Sequence, residues 1–84
     1  MTTAERIQYL RKKHHLTLEE VGRACGVGKS TVRKWEVGEI KSMRIDKVYL
    51  LSKALKTNLN YLLGLSNDEG EALAMANEEA GEGF

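Results

Sequence analysis

The chain has 84 residues, which is enough for one small domain and too few for two separate hydrophobic cores. Its hydrophobic fraction of 42 % and charged fraction of 30 % are ordinary for a globular protein, and no apolar run approaches the ~18 residues of a membrane span. Cys25 is the only cysteine, which excludes an internal disulfide and the usual Cys-rich zinc sites, so we expect a cytoplasmic protein with no metal, no cofactor and no membrane contact.

Charge is unevenly distributed along the chain, although the net charge is only +1. All 13 Lys and Arg precede residue 65, together with six Asp and Glu, so residues 1–64 carry a balance of +7. The other six acidic residues give residues 65–84 a charge of −6. A basic body is typical of proteins that bind a polyanion, although a solvated basic surface with a solubilising tail has the same composition.

Helical periodicity begins at the N-terminus, in the stretch TTAERIQYLRKKHH. Ile7 and Leu10 share one face of this first predicted helix. Thr2 and Glu5 have the spacing of a capping box, in which each side chain pairs with a free amide of the first turn. The basic residues fall mostly on the other face: Arg6, Arg11, Lys12 and Lys13.

A second helix is predicted to begin after Thr17, which repeats the capping-box spacing with Glu20. Gly26 is suited to end this helix, because glycine adopts the left-handed conformation at little steric cost. Cys25, just before it, is expected to be a buried thiol in the core. The apolar stripe of the helix is Leu18, Val21, Gly22 and Cys25.

The third predicted helix runs from Gly28, since glycine is tolerated at an N-cap, to a stop at Gly38. Val32 and Trp35 lie three residues apart and form its buried face. Glu36 is placed to form an ion pair with a basic neighbour. The remaining positions point away from the core: Lys29, Ser30, Arg33 and Lys34.

Residues 39–44, EIKSMR, are predicted to form a loop in which Ser42 caps a fourth helix. Asp46 in the first turn of that helix favours the helix dipole. The inner face of the fourth helix is Val48, Leu51, Ser52 and Leu55. Asn58 then caps a short fifth helix that holds Leu59, Leu62 and Leu63 and ends at Gly64. With no β-type alternation anywhere, the fold class is all-α, with five helices.

The stretch GVGKST, residues 26–31, has two interpretations. Its end matches the phosphate-binding loop G-x-x-x-x-G-K-[ST], which would make the protein a nucleotide-binding enzyme. That motif requires its first glycine at position 23, which is Arg23, and a buried strand where this chain has helical periodicity. We therefore predict that the protein is not an enzyme.

The second interpretation makes the same stretch the turn of a helix-turn-helix, in which two helices meet at a steep angle. The first helix needs a small residue where the second crosses it, and Gly22 supplies it. Gly26 supplies the positive φ of the turn, and Val27 fills the space between the helices. Every residue type in the stretch agrees with this interpretation.

The sequence LTLEEVGRACGVGKSTVRKWEVG, residues 16–38, resembles the Cro and phage-repressor-like (XRE) helix-turn-helix family, notably in its end Trp35-Glu36-x-Gly38. MRIDKVYLLSKALKTNLNYLLG, residues 43–64, is similar to the family's fourth and fifth helices. The resemblance implies a five-helix repressor-like bundle over residues 1–64 that binds operator DNA, usually as a two-fold pair. Leu18 stands where members often have Gln, and Gly28 where they often have a Ser or Thr cap.

The resemblance also implies that the third helix enters the major groove. Lys and Arg suit the O6 and N7 acceptors of guanine, and Ser reaches a base or a phosphate. The base-reading candidates are therefore Lys29, Ser30, Arg33 and Lys34. Helix N-termini and adjacent loops supply the phosphate-binding candidates, which are Thr17, Thr31, Lys41, Ser42 and Arg44, with Arg11, Lys12 and Lys13 as weaker ones.

A domain this small makes few base contacts, and tight binding normally recruits two half-sites, so we expect a homodimer or a higher homo-oligomer. Residues 65–84, an acidic segment rich in Ala and Gly, either contribute to this contact or bind another protein such as an antirepressor. The candidate contact residues are Leu59, Leu63, Leu65, Leu73 and Met75.

Three functions fit these features. The first is a sequence-specific transcriptional regulator, such as a phage or prophage repressor acting on double-stranded operator DNA. The second is a DNA-binding antitoxin or the controller protein of a restriction–modification system, which would differ in its protein partner. The third is a protein-interaction adaptor that keeps the fold without binding DNA. We expect the first.

Overall fold

A computed structural model describes residues 1–39 and 43–70. Within these ranges the chain forms five α-helices and no strand, which confirms the predicted fold class. The helices are α1 (Thr3–Lys13), α2 (Leu18–Cys25), α3 (Lys29–Glu36), α4 (Ile45–Ala54) and α5 (Leu59–Leu62). Four residues named in the sequence analysis lie outside the described ranges: Lys41, Ser42, Leu73 and Met75.

Side-chain caps start three of the helices as predicted. The Thr2 hydroxyl accepts from the Glu5 amide at 3.1 Å, while the Glu5 carboxylate accepts from the Thr2 amide at 2.8 Å. Thr17 forms the same capping box at the start of α2. The Asn58 side chain accepts from the backbone amide of residue 61 at 2.8 Å. Each pair satisfies amides that the first helical turn leaves without a partner.

The predicted cap of α4 is wrong. The N-cap position is Arg44, not Ser42, and its side chain forms no capping hydrogen bond. The acceptor at this helix end comes from inside the first turn, where the Asp46 carboxylate accepts from the Lys47 amide at 2.9 Å. The helix therefore starts two residues later than the Ser42 signal indicated.

One face of each helix contributes to a single core. α2 packs against α3 and α4, while α1 packs against α3 and α5. The predicted stripes are confirmed except at Leu63, which was placed in α5 but follows it as the C-cap, 44 % exposed. The core comprises Ile7, Leu10, Val21, Cys25, Val32, Trp35, Val48, Leu51, Leu55, Tyr61 and Leu62.

The turn between α2 and α3 has the geometry expected of a helix-turn-helix. Gly26 lies in the left-handed region with φ of 73°, and Val27 packs against the core. The Val27 amide donates to the Gly22 carbonyl at 2.8 Å. A Cβ at Gly22 would lie 2.6 Å from the Val27 carbonyl oxygen, so the small residue is required by the turn itself, not by the body of α3.

Arg6 was assigned mostly to the solvent face of α1, but it is 8 % exposed. One terminal nitrogen of its guanidinium donates to the carbonyls of Tyr61 and Ser66, both at 2.9 Å. The other donates to the Asn67 side chain at 3.3 Å, and the group lies 4.3 Å from the centroid of the Tyr61 ring. Because these partners are far away in sequence, helical periodicity could not indicate them.

Residues 66–70, here called the strap, fold back onto α1 and the loop before α5. The Glu69 carboxylate accepts from the Tyr9 hydroxyl at 3.0 Å and from Lys13 at 2.6 Å. The Thr57 hydroxyl donates to the Glu69 carbonyl at 2.7 Å. The hydrogen bond from Lys13 lowers the pKa of Glu69, so the acidic side chain is held in its charged form.

Candidate nucleic-acid interface

Helix α3 has one buried face and one exposed face. Val32 is fully buried and Trp35 is 6 % exposed, so both side chains are fixed in the core. The four predicted base-reading residues lie together on the exposed face, in two pairs with i, i+4 spacing: Lys29 with Arg33 and Ser30 with Lys34. The structure thus brings these side chains together, while their base-reading role remains a prediction.

The N-terminus of α3 differs from that of α2. Gly28 occupies the N-cap with extended backbone angles and no side-chain cap, and the first turn contains no acidic residue. At α2, by contrast, Thr17 closes the helix end with Glu20, and Glu19 adds a second acid. Since a helix N-terminus carries partial positive charge, the α3 end, unlike the α2 end, is free of opposing carboxylates from its own first turn.

The C-terminal end of α3 is held by an ion pair with α1. Glu36 accepts from Arg11 twice, from Nε at 2.5 Å and from a terminal nitrogen at 3.1 Å. Arg11 also donates to the Leu16 carbonyl at 3.0 Å. The side chains of Arg11 and Glu36 are only 15 % and 4 % exposed. The predicted pairing of Glu36 is confirmed, and it occupies Arg11, one of the weaker phosphate candidates.

The remaining phosphate candidates are in different surroundings. The Thr17 hydroxyl accepts from the Glu20 amide at 3.0 Å, which confirms the side chain as a helix cap. Thr31 is half-buried in the first turn of α3. The Arg44 side chain is 80 % exposed and lies 3.5 Å from Asp46, which leaves its guanidinium accessible. Contact with phosphate remains a prediction for all three.

Two of the candidate oligomer contacts present apolar surface to solvent. Leu63 is 44 % exposed and Leu65 is 74 % exposed, both just after α5. Leu59 instead packs against the core and is only partly accessible. The end of α5 therefore offers apolar surface, but the oligomeric state stays a prediction.

One contact near the interface was not foreseen from the sequence. The Lys47 ammonium of α4 donates to the Cys25 carbonyl at 3.0 Å, at the last residue of α2. Cys25 itself is fully buried, and burial raises the pKa of its thiol, in agreement with the predicted core role. The only sequence signal for Lys47 is its position beside the buried Val48, which puts it at the edge of the α4 inner face.

The part of the chain that the structure describes lacks two further kinds of feature, a metal site and a membrane-spanning helix. No group of three or more His, Cys, Asp and Glu side chains is arranged to bind a metal ion there. None of the described helices combines the length and the apolar character that crossing a bilayer requires.

Two packed helices joined by a short glycine-containing turn, with a basic outer face on the second helix, are typical of helix-turn-helix domains. The chain belongs to the helix-turn-helix family, whose model matches residues 7–62. This confirms the family that residues 16–38 and 43–64 resemble.

The chain is 34 % identical over 64 residues to YobD of Bacillus subtilis (strain 168), described as an uncharacterized HTH-type transcriptional regulator. The aligned region is 76 % of this chain and 56 % of YobD, so the chain spans little more than half of that relative.

Solved structures match the fold closely. The P22 c2 repressor in complex with synthetic operator 9T has a TM-score of 0.72 at 30 % identity, covering 79 % of this chain and 98 % of that one. The solution structure of the DNA-binding domain of the P22 c2 repressor (1–76) has a TM-score of 0.69 at 31 % identity, covering 81 % and 91 %. The five-helix bundle is therefore repressor-like, as predicted.

Proposed function

We propose that this protein is a transcriptional regulator that binds double-stranded DNA in a sequence-specific way, acting as a repressor of phage type on an operator. The observation that carries the proposal is the two-sided character of α3. Its inner face is locked in the core by Val32 and Trp35, while its outer face is basic and exposed. The likeness to the P22 c2 repressor bound to a synthetic operator supports this use of the helix.

In this proposal the N-terminal turn of α3 lies in the major groove. Lys29 and Arg33 share one line along the helix and bind the O6 and N7 acceptors of guanine, and Ser30 binds a base edge or a phosphate. Lys34, one turn beyond Ser30, contacts a base or the backbone. One good bidentate pair contributes about 1–3 kcal/mol of discrimination between bases.

Phosphate contacts then fix the register of the helix on the duplex. Arg44 is the best placed of the described phosphate-binding candidates. Its side chain is largely exposed, and the residue immediately precedes α4. Thr17 and Thr31 add contacts at the starts of α2 and α3, and Lys41 and Ser42 add contacts from the loop. Arg11 is left out because Glu36 already pairs with it.

Two copies of the domain bind two half-sites about 34–36 Å apart, which gives the specificity that one domain lacks. The exposed side chains of Leu63 and Leu65 support an apolar contact between copies at the end of α5. Replacing both by Ser is expected to reduce the oligomer measured by light scattering without unfolding the protein, because neither side chain belongs to the core.

The function is tested first by selecting DNA ligands from a duplex library randomised over about 30 base pairs. The affinity for the recovered duplex is then compared with that for sheared genomic DNA. Replacing both Lys29 and Arg33 by Ala is expected to reduce this preference by about 30-fold or more, since base-edge contacts are lost.

The matched control removes two positive charges away from α3, at Lys53 and Lys56. Lys53→Ala combined with Lys56→Gly suits the backbone, because Lys56 has a positive φ of 55°. This control is expected to keep the preference for the selected duplex. An unchanged preference in the variant lacking Lys29 and Arg33 would contradict the proposal.

A further inference from the structure

The direction of α3 depends on the three-residue turn that precedes it, residues 26–28. One restraint ties the turn to α2, because the Val27 amide donates a hydrogen bond to the Gly22 carbonyl at 2.8 Å. The close approach of the turn backbone to Gly22 adds a steric limit. Both restraints belong to the helix-turn-helix segment itself.

A third restraint comes from α4, which lies outside that segment. The Lys47 ammonium donates to the Cys25 carbonyl at 3.0 Å, one residue before the left-handed Gly26. A Cβ at Gly26 would lie 3.7 Å from the same ammonium, so the charge sits beside the turn. Carbonyls in the last turn of a helix lack helical partners, and a cation at this negative end of the dipole is favourable.

We propose that Lys47 is a positioning residue for DNA recognition. By binding the last carbonyl of α2, it fixes the backbone from which the turn departs, and thereby the angle at which α3 meets the groove. The inference rests on the proposed function and adds a specificity-determining residue that makes no contact with a base.

Two other roles for Lys47 are less consistent with the geometry. An ion pair with an acid is not what holds it, because no salt bridge of Lys47 is found within residues 1–39 and 43–70. The nearest acid in sequence, Asp46, binds the backbone amide of Lys47 and faces Arg44. A direct phosphate contact would require the ammonium to leave a half-buried position on the Cys25 carbonyl.

The test replaces Lys47 by Met in the full chain, which keeps much of the apolar stem but removes the donor and the charge. The probes are the duplex recovered by selection and sheared genomic DNA, each measured at several salt concentrations. Affinity for the selected duplex is expected to fall about fivefold to tenfold, while affinity for genomic DNA changes less than about twofold. The salt dependence for genomic DNA should stay that of the parent.

Three comparisons make the result specific. Lys47→Arg is expected to restore most of the preference, since a guanidinium can donate to the same carbonyl. Lys53→Met is a matched change on the same helix, at a lysine that lies over the Tyr49 ring. This variant is expected to keep the preference for the selected duplex. Amide exchange at Val27 should be faster in Lys47→Met than in the parent, at a temperature where both proteins are folded.

The outcomes separate this inference from the proposed function. If the parent recovers no preferred duplex, the proposed function fails. If the parent shows a preference that Lys47→Met retains, the positioning role is wrong while the function stands. An equal loss of affinity for the selected duplex and for genomic DNA, with the slope of log K against log salt reduced by about 0.9, would identify Lys47 as a phosphate ligand. This result would also overturn the inference. If Lys47→Met does not fold, the Lys47→Ala variant, which also lacks the donor and the charge, is measured against the same criteria.

Discussion

At Gly22 a single methyl group would meet backbone atoms that cannot move aside independently. The added Cβ would lie 2.6 Å from the Val27 carbonyl oxygen and 3.2 Å from the carbonyl carbon and oxygen of Gly28. We expect Gly22→Ala to lower the free energy of unfolding by about 1–3 kcal/mol, because the turn must shift to relieve the overlap. Urea denaturation followed by circular dichroism measures the change.

The control for this prediction is Gly28→Ala, in the same turn. Nothing lies within 4 Å of a Cβ at Gly28, and its φ of −80° suits any residue. We expect Gly28→Ala to lower the free energy of unfolding by less than about 1 kcal/mol, which is the difference between glycine and alanine at an N-cap. Equal losses in the two variants would show that the close approach at Gly22 is not what limits the turn.

The Arg11–Glu36 pair is a second residue-scale feature with a measurable energy. Both side chains are mostly buried, and the contact is bidentate. Removing one partner leaves the other charge without compensation, so a double-mutant cycle with Arg11→Met and Glu36→Gln is expected to give a coupling of about 1–3 kcal/mol. The coupling energy follows from the free energies of unfolding of the parent, the two single variants and the double variant, measured by chemical denaturation.

The Arg44–Asp46 pair is the natural comparison, since its side chains are 80 % and 61 % exposed and 3.5 Å apart. A cycle with Arg44→Met and Asp46→Asn should give a coupling of at most about 0.5 kcal/mol. Additive effects at Arg11 and Glu36 would mean that the buried pair contributes no more than this exposed one.

These residues also show what local sequence can predict. The partners in the two capping boxes are three residues apart, so Thr2–Glu5 and Thr17–Glu20 were recognisable from spacing alone. Arg6 was not, because its acceptors lie 55 to 61 residues away and are mainly backbone carbonyls, which every residue possesses. Lys47 escaped prediction for the same reason.

At the scale of elements, the strap is the part of the chain whose contribution can be isolated. It gives Arg6 two of its three hydrogen-bond acceptors, from Ser66 and Asn67, and it binds Lys13 through Glu69. We expect a chain ending at Leu65 to be less stable than one ending at Gly70 by about 1–3 kcal/mol, since a buried cation would lose partners. Thermal and urea denaturation of the two truncated chains gives the difference.

The same experiment with Arg6→Met tests the cause. Without the buried guanidinium, removal of the strap should destabilise the protein much less. The difference in stability between the chains ending at Leu65 and at Gly70 is therefore expected to shrink by at least half. If the two lengths are equally stable with Arg6 in place, the strap does not support the fold.

On the scale of the whole molecule, four of the five short helices were predictable from their own cap or glycine stop together with an apolar stripe. Helix α4 has neither signal at its ends and was predictable from its apolar stripe alone. The exposed face of α3 followed from the same periodicity, since Val32 and Trp35 fix the inner side. The path of the strap was not predictable, because polar contacts from α1 and the loop before α5 define it. The restraint from Lys47 likewise requires α4 to be placed against α2 first.

The exposed face of α3 groups three basic residues close together, namely Lys29, Arg33 and Lys34. Within residues 1–39 and 43–70, salt bridges engage Arg11, Lys13 and Arg44, and none involves a cation of α3. The cationic side chains of α3 are therefore exposed to solvent without an acidic partner among the described residues. This concentration of unpaired charge on a fixed helix predicts DNA binding that weakens steeply as salt rises.

The final prediction separates the two kinds of contact that this surface would make. Arg44→Ala removes the proposed phosphate contact, so affinity should fall equally for the selected duplex and for genomic DNA, and the slope of log K against log salt should drop by about 0.9. Arg33→Ala removes the proposed base contact, so the selected duplex alone should lose about 1–3 kcal/mol of affinity. Titrations at four salt concentrations measure both quantities. If Arg44→Ala abolishes the preference while leaving the slope unchanged, the assignment of Arg44 to the phosphate backbone is wrong, because loss of a phosphate contact reduces counterion release.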